Sequence, residues 1–168
     1  MKIVFFGVGA VCSVMATLLD ELSNKSKQKD INFIFVVRNI KKAQAHFFKN
    51  SNVLNKSDFL EIKHFEEIFE DSKKYENYLR NSDIFINSST PSFNLPIMNL
   101  ALKYNTNYAD LASDIYKDEI ISTLKFDQQI LENEFKSQNL FALINLGISP
   151  EITNFLIGEK IHSLKNLP

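Results

Sequence analysis

Short apolar runs alternate along this chain with longer segments in which apolar residues recur every three or four positions. The first run, Lys2–Phe6, is rich in β-branched and aromatic side chains, which favour a strand that is buried on both faces. A glycine turn follows, and the segment after it has the periodicity of an amphipathic helix. The apolar positions that this pattern predicts on the inner face of that helix are Val11, Met15, Leu18, Leu19 and Leu22.

The alternation continues along the chain and predicts about six strands. After the first, the predicted strands are 31–37, 59–64, 83–87, 107–110 and 140–145. The later predicted helices are 41–49, 66–80, 93–104, 113–137 and one that opens at Ser149. Strands that alternate with helices predict an α/β fold with a doubly wound parallel sheet and helices on both faces. Such sheets bind ligands at the carboxyl ends of their strands.

The turn after the first strand carries the most specific chemistry. Two of the four glycines of the chain, Gly7 and Gly9, lie in this turn. Gly7 permits the sharp turn, and Gly9 lets a pyrophosphate approach the backbone at the start of a helix, where N–H groups and the helix dipole attract anions. Cys12 takes the third position of the G-x-G-x-x-G pattern as a small apolar residue. The stretch predicts a Rossmann-like dinucleotide site, and a turn without a ligand is the alternative.

The residues after the second predicted strand are basic. Arg38 follows the strand directly, and Lys41 and Lys42 come within one turn. In dinucleotide folds an acidic residue here binds the ribose 2′-OH of NAD, whereas an arginine accommodates the 2′-phosphate of NADP. No Asp or Glu lies between Asn32 and Asn55. NADP is therefore predicted in preference to NAD, and the alternative is that these cations merely begin a solvated helix.

Composition narrows the class of protein. A length of 168 residues is that of one ordinary domain, predicted here as a dinucleotide-binding domain over residues 1–168. The net charge of −1 gives no reason to expect nucleic acid or an anionic membrane as a partner. The single cysteine excludes an internal disulfide and fits a reducing, cytoplasmic compartment. No apolar run approaches the ~20 residues that a membrane-spanning helix needs.

Several reactive side chains have simpler interpretations. The histidines are isolated from other metal-ligating residues, so we predict surface or capping roles and no metal site. Cys12 stands at a helix N-terminus, where a thiol can be activated, but packing beneath the cofactor loop is the preferred interpretation. Asp110 and Asp114 are candidates for contact with a substrate amine, although carboxylates at strand ends also cap helices.

Three groups of residues, in order, resemble the saccharopine dehydrogenase family, which includes carboxynorspermidine synthase and related reductases. The first group is Gly7–Val11, the second is Ile86–Pro91 with Asn94–Met98 and Asn107–Asp110, and the third is Leu146–Pro150. The resemblance implies the cofactor domain of an NAD(P)-dependent oxidoreductase that acts on C–N bonds. Members of this family commonly reduce an imine formed between an amine and an oxo acid.

The resemblance also implies roles for individual residues, and it leaves the catalytic residues unassigned. It implies pyrophosphate binding by the backbone of Gly7, Val8, Gly9, Ala10 and Val11, recognition of the adenosine phosphate by Arg38, and proximity to the nicotinamide ribose for Ser88, Ser89, Thr90 and Pro91. Family members are longer and carry a second domain for a small amine or amino-acid substrate. The chain is therefore expected to bind nicotinamide dinucleotide without catalysing a reaction alone, and likeness to the family suggests a homodimer.

The sequence leaves two other functions as alternatives to this one. A stand-alone nucleotide-sensing module would bind the same cofactor and act through a contact with a partner. A methyltransferase that uses S-adenosylmethionine would need an acidic residue after the second strand, and Arg38 has the opposite charge.

Overall fold

A parallel β-sheet forms the centre of the molecule. The computed structural model describes residues 1–26, 30–47, 51–112 and 127–147. Within these ranges six strands are formed: β1 Lys2–Phe6, β2 Asn32–Val37, β3 Ser57–Glu61, β4 Ile84–Asn87, β5 Asn107–Asp110 and β6 Ala142–Leu143. Their spatial order is β3-β2-β1-β4-β5-β6, and every neighbouring pair is parallel. The order reverses between β1 and β4, so the predicted doubly wound, Rossmann-like sheet is confirmed.

Helices cover both faces of this sheet. The helices of the described residues are α1 Ala10–Ser26, α2 Ile40–Ala45, α3 Ser51–Asn55, α4 Glu66–Glu70, α5 Glu76–Leu79, α6 Asn94–Lys103 and α7 Glu132–Ser137. Buried residues of α1 and α2 pack in one hydrophobic cluster, and those of α4 to α7 pack in the other. This division follows from right-handed crossovers that run in opposite directions from the centre of the sheet.

Successive side chains of the central strands point to opposite faces of the sheet, so each strand contributes residues to both hydrophobic clusters. Ile3 and Phe5 of β1 belong to the cluster under α1, whereas Val4 and Phe6 belong to the cluster on the opposite face. All four side chains are at most 1% exposed. The rings of Phe5 and Phe35 stack with centroids 5.5 Å apart across β1 and β2. Both faces of the central strands are thus buried, as their unbroken apolar sequence predicts.

Several helices and strands begin or end at residues other than those predicted from the sequence. The first helix continues to Ser26, and β3 begins at Ser57, two residues before the predicted strand. The segment 66–80 is divided into α4, a 3₁₀ turn and α5. The predicted strand 140–145 shortens to the two residues of β6. The first fourteen residues of the predicted helix 113–137, and the helix predicted to open at Ser149, lie outside the described residues.

The predicted inner face of α1 is confirmed at Met15 and Leu19, which pack against the hydrophobic cluster under the helix, and is wrong at its other three positions. Val11, Leu18 and Leu22 are 53%, 52% and 61% exposed. The buried residues of the helix are instead Cys12, Ser13, Ala16, Asp20 and Ser23. Small side chains on the inner face let the helix lie close to the sheet beside the glycine turn. The Asp20 carboxylate is compensated by Lys56, whose Nζ lies 2.8 Å from Asp20 Oδ1.

Candidate functional site

Loops at the carboxyl ends of β2, β1 and β4 enclose a cleft of about 450 Å³. These strands are adjacent in the sheet, so their loops follow one another across its edge. Seven of the ten residues predicted from the sequence line the cleft: Gly7, Val8, Gly9, Arg38, Ser88, Ser89 and Thr90. The other three, Ala10, Val11 and Pro91, are not part of its lining. Ala10 and Val11 begin α1, and Pro91 begins a 3₁₀ turn before α6.

Gly7 joins two of these loops. Its φ angle is +93°, which L side chains rarely adopt, and its N–H donates to the Val36 carbonyl at 2.9 Å. A Cβ atom built on Gly7 would lie 2.9 Å from Cβ of Ser89. The glycine is therefore required both by the local backbone and by the close approach of the Ser89 loop.

Gly9, unlike Gly7, has open space beside its Cα atom. A Cβ atom built on Gly9 would have no heavy atom within 4 Å, although the residue lines the cleft. The Gly9 carbonyl accepts the Ser13 N–H at 3.0 Å, which is the first hydrogen bond of α1. The N–H groups of residues 10–12 precede that bond and have no partner inside the helix. Open space beside helix-initiating N–H groups is suited to a phosphate.

Cys12 lies beneath this turn and is 1% exposed. Burial raises the pKa of its thiol to about 12, and a weaker opposing effect comes from a hydrogen bond with Ser88. Ser88 Oγ also donates to the Gly7 carbonyl at 2.8 Å. The predicted packing role of Cys12 is confirmed, because its side chain belongs to the hydrophobic cluster under α1, and a buried thiol of this kind is expected to be inert.

We predict that the native protein will not react with iodoacetamide at pH 8, whereas the protein unfolded in guanidinium will be alkylated. The thiol is neutral in both states below the ordinary pKa of about 8.5. The pKa of the thiol is higher in the folded state. As the pH rises above the ordinary pKa, ionisation of the thiol therefore stabilises the unfolded state and not the folded state. Stability should therefore fall from about pH 9 toward pH 12, and Cys12→Ala should reduce this loss. Mass spectrometry detects alkylation, and rapid labelling of the folded chain would contradict the buried position.

The end of the cleft beside β2 is cationic. Arg38, Lys42 and His46 all line it and are exposed. They are spaced four residues apart, and Lys42 lies within α2, so one side of this helix and the turn before it presents all three groups. The sequence predicts Arg38 at this site, whereas for His46 it predicts a surface or capping role. The helical spacing was the available signal that His46 reaches the same cleft.

Two backbone N–H groups at the start of α2 already donate hydrogen bonds to side chains. Asn39 Oδ1 accepts the Lys42 N–H at 2.8 Å, and Glu61 Oε1 accepts the Ile40 N–H at 3.1 Å. A phosphate at this end would therefore be bound by the Arg38, Lys42 and His46 side chains rather than by these two amides. Glu61 could not be assigned to this site from the sequence, because it belongs to β3 and its carboxylate reaches the start of α2 only in the folded chain.

The Asp110 carboxylate accepts hydrogen bonds from groups within the fold. The residue is fully buried at the end of β5, where Oδ1 accepts the Asn145 N–H at 2.8 Å and Oδ2 accepts Gln128 Nε2 at 3.0 Å. These bonds tie β5 to the segment that follows β6 and to the 3₁₀ turn before α7. Asp114, the other candidate for contact with an amine, lies outside the described residues.

Two features are absent from the described ranges. None of the helices there is long and apolar enough to cross a membrane. No group of three or more His, Cys, Asp or Glu side chains is placed to hold a metal ion in the same ranges.

Comparison with known proteins gives a family match over most of the chain. A sequence model described as "Saccharopine dehydrogenase NADP binding domain" matches residues 3–143. A search of curated protein sequences finds no match.

Solved structures with the same fold are longer proteins. Saccharopine dehydrogenase (L-Glu forming) from Saccharomyces cerevisiae aligns with a TM-score of 0.64 and 18% identity, over 96% of this chain and 31% of that one. The Bacillus subtilis protein yvaA gives a TM-score of 0.60 and 11% identity over 99% and 40% of the two chains. Shikimate dehydrogenase from Mycobacterium tuberculosis gives 0.53 and 14% over 86% and 46%. The chain thus spans less than half the length of each of these proteins.

Proposed function

The chain belongs to the family of saccharopine dehydrogenase NADP-binding domains, and on that premise we propose that it binds NADP(H) in the cleft above β2, β1 and β4. In this proposal the 168 residues form the cofactor domain of an oxidoreductase that acts on C–N bonds. The adenosine 2′-phosphate lies beside Arg38, the pyrophosphate lies over Gly9, and the nicotinamide half lies beside the Ser88–Thr90 loop.

One observation carries the proposal: a single cleft connects a cationic end, an open glycine and a hydroxyl-rich loop. The cleft contains Arg38, Gly9 and Ser89. A dinucleotide phosphate needs a cation at the adenosine 2′ position and backbone approach at the pyrophosphate, and the chain offers these in adjacent loops. The residues present therefore fit the cofactor that the family binds.

The roles of the chain are binding and orientation. The backbone N–H groups that open α1 would stabilise the pyrophosphate, and Gly9 leaves room for it. Arg38, with Lys42 and His46, would stabilise the 2′-phosphate by charge-assisted hydrogen bonds. The Ser88–Thr90 loop would orient the ribose of the nicotinamide half. When bound, NADPH would supply the hydride for the reduction of an imine formed between an amine and an oxo acid.

A thermal-shift experiment tests cofactor binding. Ligand at 100 times its Kd stabilises the folded state by about 2.7 kcal/mol, which for a domain of this size raises Tm by about 5–10 °C. We expect such a shift with NADPH, a smaller one with NADH at the same concentration, and none with S-adenosylmethionine. No shift with either nicotinamide cofactor would overturn the proposed function.

The reaction and assembly of the whole protein form the wider proposal. It comprises a second domain that binds a small amine or amino-acid substrate, a homodimer and a cytoplasmic location, and its support is the family likeness. Oxidation of NADPH by the full-length protein with amine and oxo-acid pairs tests the reaction. If NADPH bound but the full-length protein oxidised none of it with any pair, the nucleotide-sensing alternative would be favoured.

A further inference from the structure

Asn87 connects the end of β4 to the loop that follows it. The residue is 3% exposed, and its Oδ1 accepts hydrogen bonds from the Ser89 N–H at 3.0 Å and Ser89 Oγ at 2.6 Å. Its Nδ2 donates to the Thr90 carbonyl at 3.0 Å and to Asn94 Oδ1 at 2.6 Å. Both amide protons and both acceptor positions of Asn87 are therefore used. The side chain fixes the Ser88–Thr90 loop from inside.

Asn94 fixes Asn87 in turn. Asn94 is fully buried at the start of α6, where its Oδ1 also accepts the Tyr108 hydroxyl at 3.0 Å. Its Nδ2 donates to the Ala112 carbonyl at 2.8 Å, just beyond the end of β5. The orientation of the Asn94 amide is thus determined by a donor on one side and an acceptor on the other, so it presents its oxygen to Asn87.

We infer that Asn94 is a positioning residue which, through Asn87 and held by Tyr108, keeps the Ser88–Thr90 loop in the shape that receives the nicotinamide half of the cofactor. This inference rests on the proposed function and deepens it. A buried network in which each amide is satisfied makes the loop rigid. A preformed loop loses little conformational freedom when its ligand binds. Asn94 itself does not line the cleft, so its effect on the ligand is indirect.

The hydrogen-bond network of Asn87, Asn94 and Tyr108 lies at one end of the cleft, so its loss should affect only one half of a bound dinucleotide. The loop lies at the β4 end of the cleft, whereas Arg38 lies beyond β1 at the other end. A ligand that contains only the adenosine and its phosphates would not reach the loop. Loss of the Asn94 amide should therefore weaken binding of the complete dinucleotide and leave binding of the adenosine half unchanged.

The test compares NADPH with 2′,5′-ADP by calorimetry on the full chain. For Asn94→Ala we expect the Kd for NADPH to rise about tenfold, as for the loss of an ordering hydrogen bond. The Kd for 2′,5′-ADP should change by less than about twofold, which is within the scatter of such comparisons. Tyr108→Phe, which removes only the hydroxyl, should act in the same direction with a smaller effect. Asn99→Ala is the matched control, because Asn99 is an exposed asparagine of α6 that bonds to the Leu95 carbonyl.

The outcomes separate two failures. If the wild-type chain binds no NADPH, the proposed function fails, and this inference fails with it. If the wild-type chain binds NADPH, the inference alone is overturned when both ligands are weakened equally in the variants, or when neither is. Should Asn94→Ala fail to fold, the ratio of the two affinities in Tyr108→Phe decides the matter, and an unchanged ratio overturns the inference.

Discussion

Replacement of Arg38 by aspartate should weaken NADPH binding about 100-fold while changing NADH binding less than about threefold. A hydrogen bond between charged groups contributes about 1.5–3 kcal/mol, which corresponds to about 10- to 100-fold in affinity. The new carboxylate would also repel a 2′-phosphate. NADH lacks that phosphate, so its affinity depends on the rest of the cleft. Titration of each cofactor by calorimetry measures the two values separately.

Neighbouring lysines provide the control for this experiment. Lys42 lines the cleft, whereas Lys41 is exposed but is not part of the lining. Lys42→Asp should therefore reduce NADPH affinity in the same direction as Arg38→Asp, and Lys41→Asp should have only the small effect of a screened surface charge. Equal losses of NADPH and NADH in Arg38→Asp would remove the assignment of Arg38 to the 2′-phosphate.

The parts of the site that depend on local backbone chemistry could be predicted from the sequence. Gly7 and Gly9 lie between a strand and a helix, and Arg38 directly follows a strand, so each position is fixed by its nearest neighbours in the chain. All three line the cleft. The overall sheet was predictable for the same reason, because apolar strands and periodic helices alternate in a simple order.

The parts that depend on distant contacts could not be predicted in this way. Glu61 reaches Ile40 across 21 positions of the sequence, and no local pattern indicates that contact. Hydrophobic periodicity placed Leu18 on the inner face of α1, because it counts apolar side chains and does not register the need for small ones beside the glycine turn. The inward position of Asp20 required Lys56, which lies 36 residues away.

The two glycines of the turn should respond to substitution in different ways. Gly7→Ala forces an L side chain into a φ of +93° and places its Cβ against Ser89. Such backbone strain and overlap cost about 3 kcal/mol of the free energy of unfolding together, which lowers Tm by about 6–12 °C for a domain of this size. Gly9→Ala meets no atom within 4 Å. Its Tm should therefore stay close to that of the wild type, and NADPH affinity should fall instead.

Chemical denaturation and calorimetry on the same two variants separate these effects. Gly7→Ala should cost less stability in a Ser89→Gly background than in the wild type, because Ser89→Gly removes the nearest overlapping atom while the φ strain persists. The Ser89→Gly single variant accounts for the lost hydrogen bond between Ser89 and Asn87. A Gly7→Ala protein as stable as the wild type would show that the two loops do not touch as described. If Gly9→Ala bound NADPH with unchanged affinity, the pyrophosphate could not lie over Gly9, because the added methyl group occupies the space into which a phosphate must come.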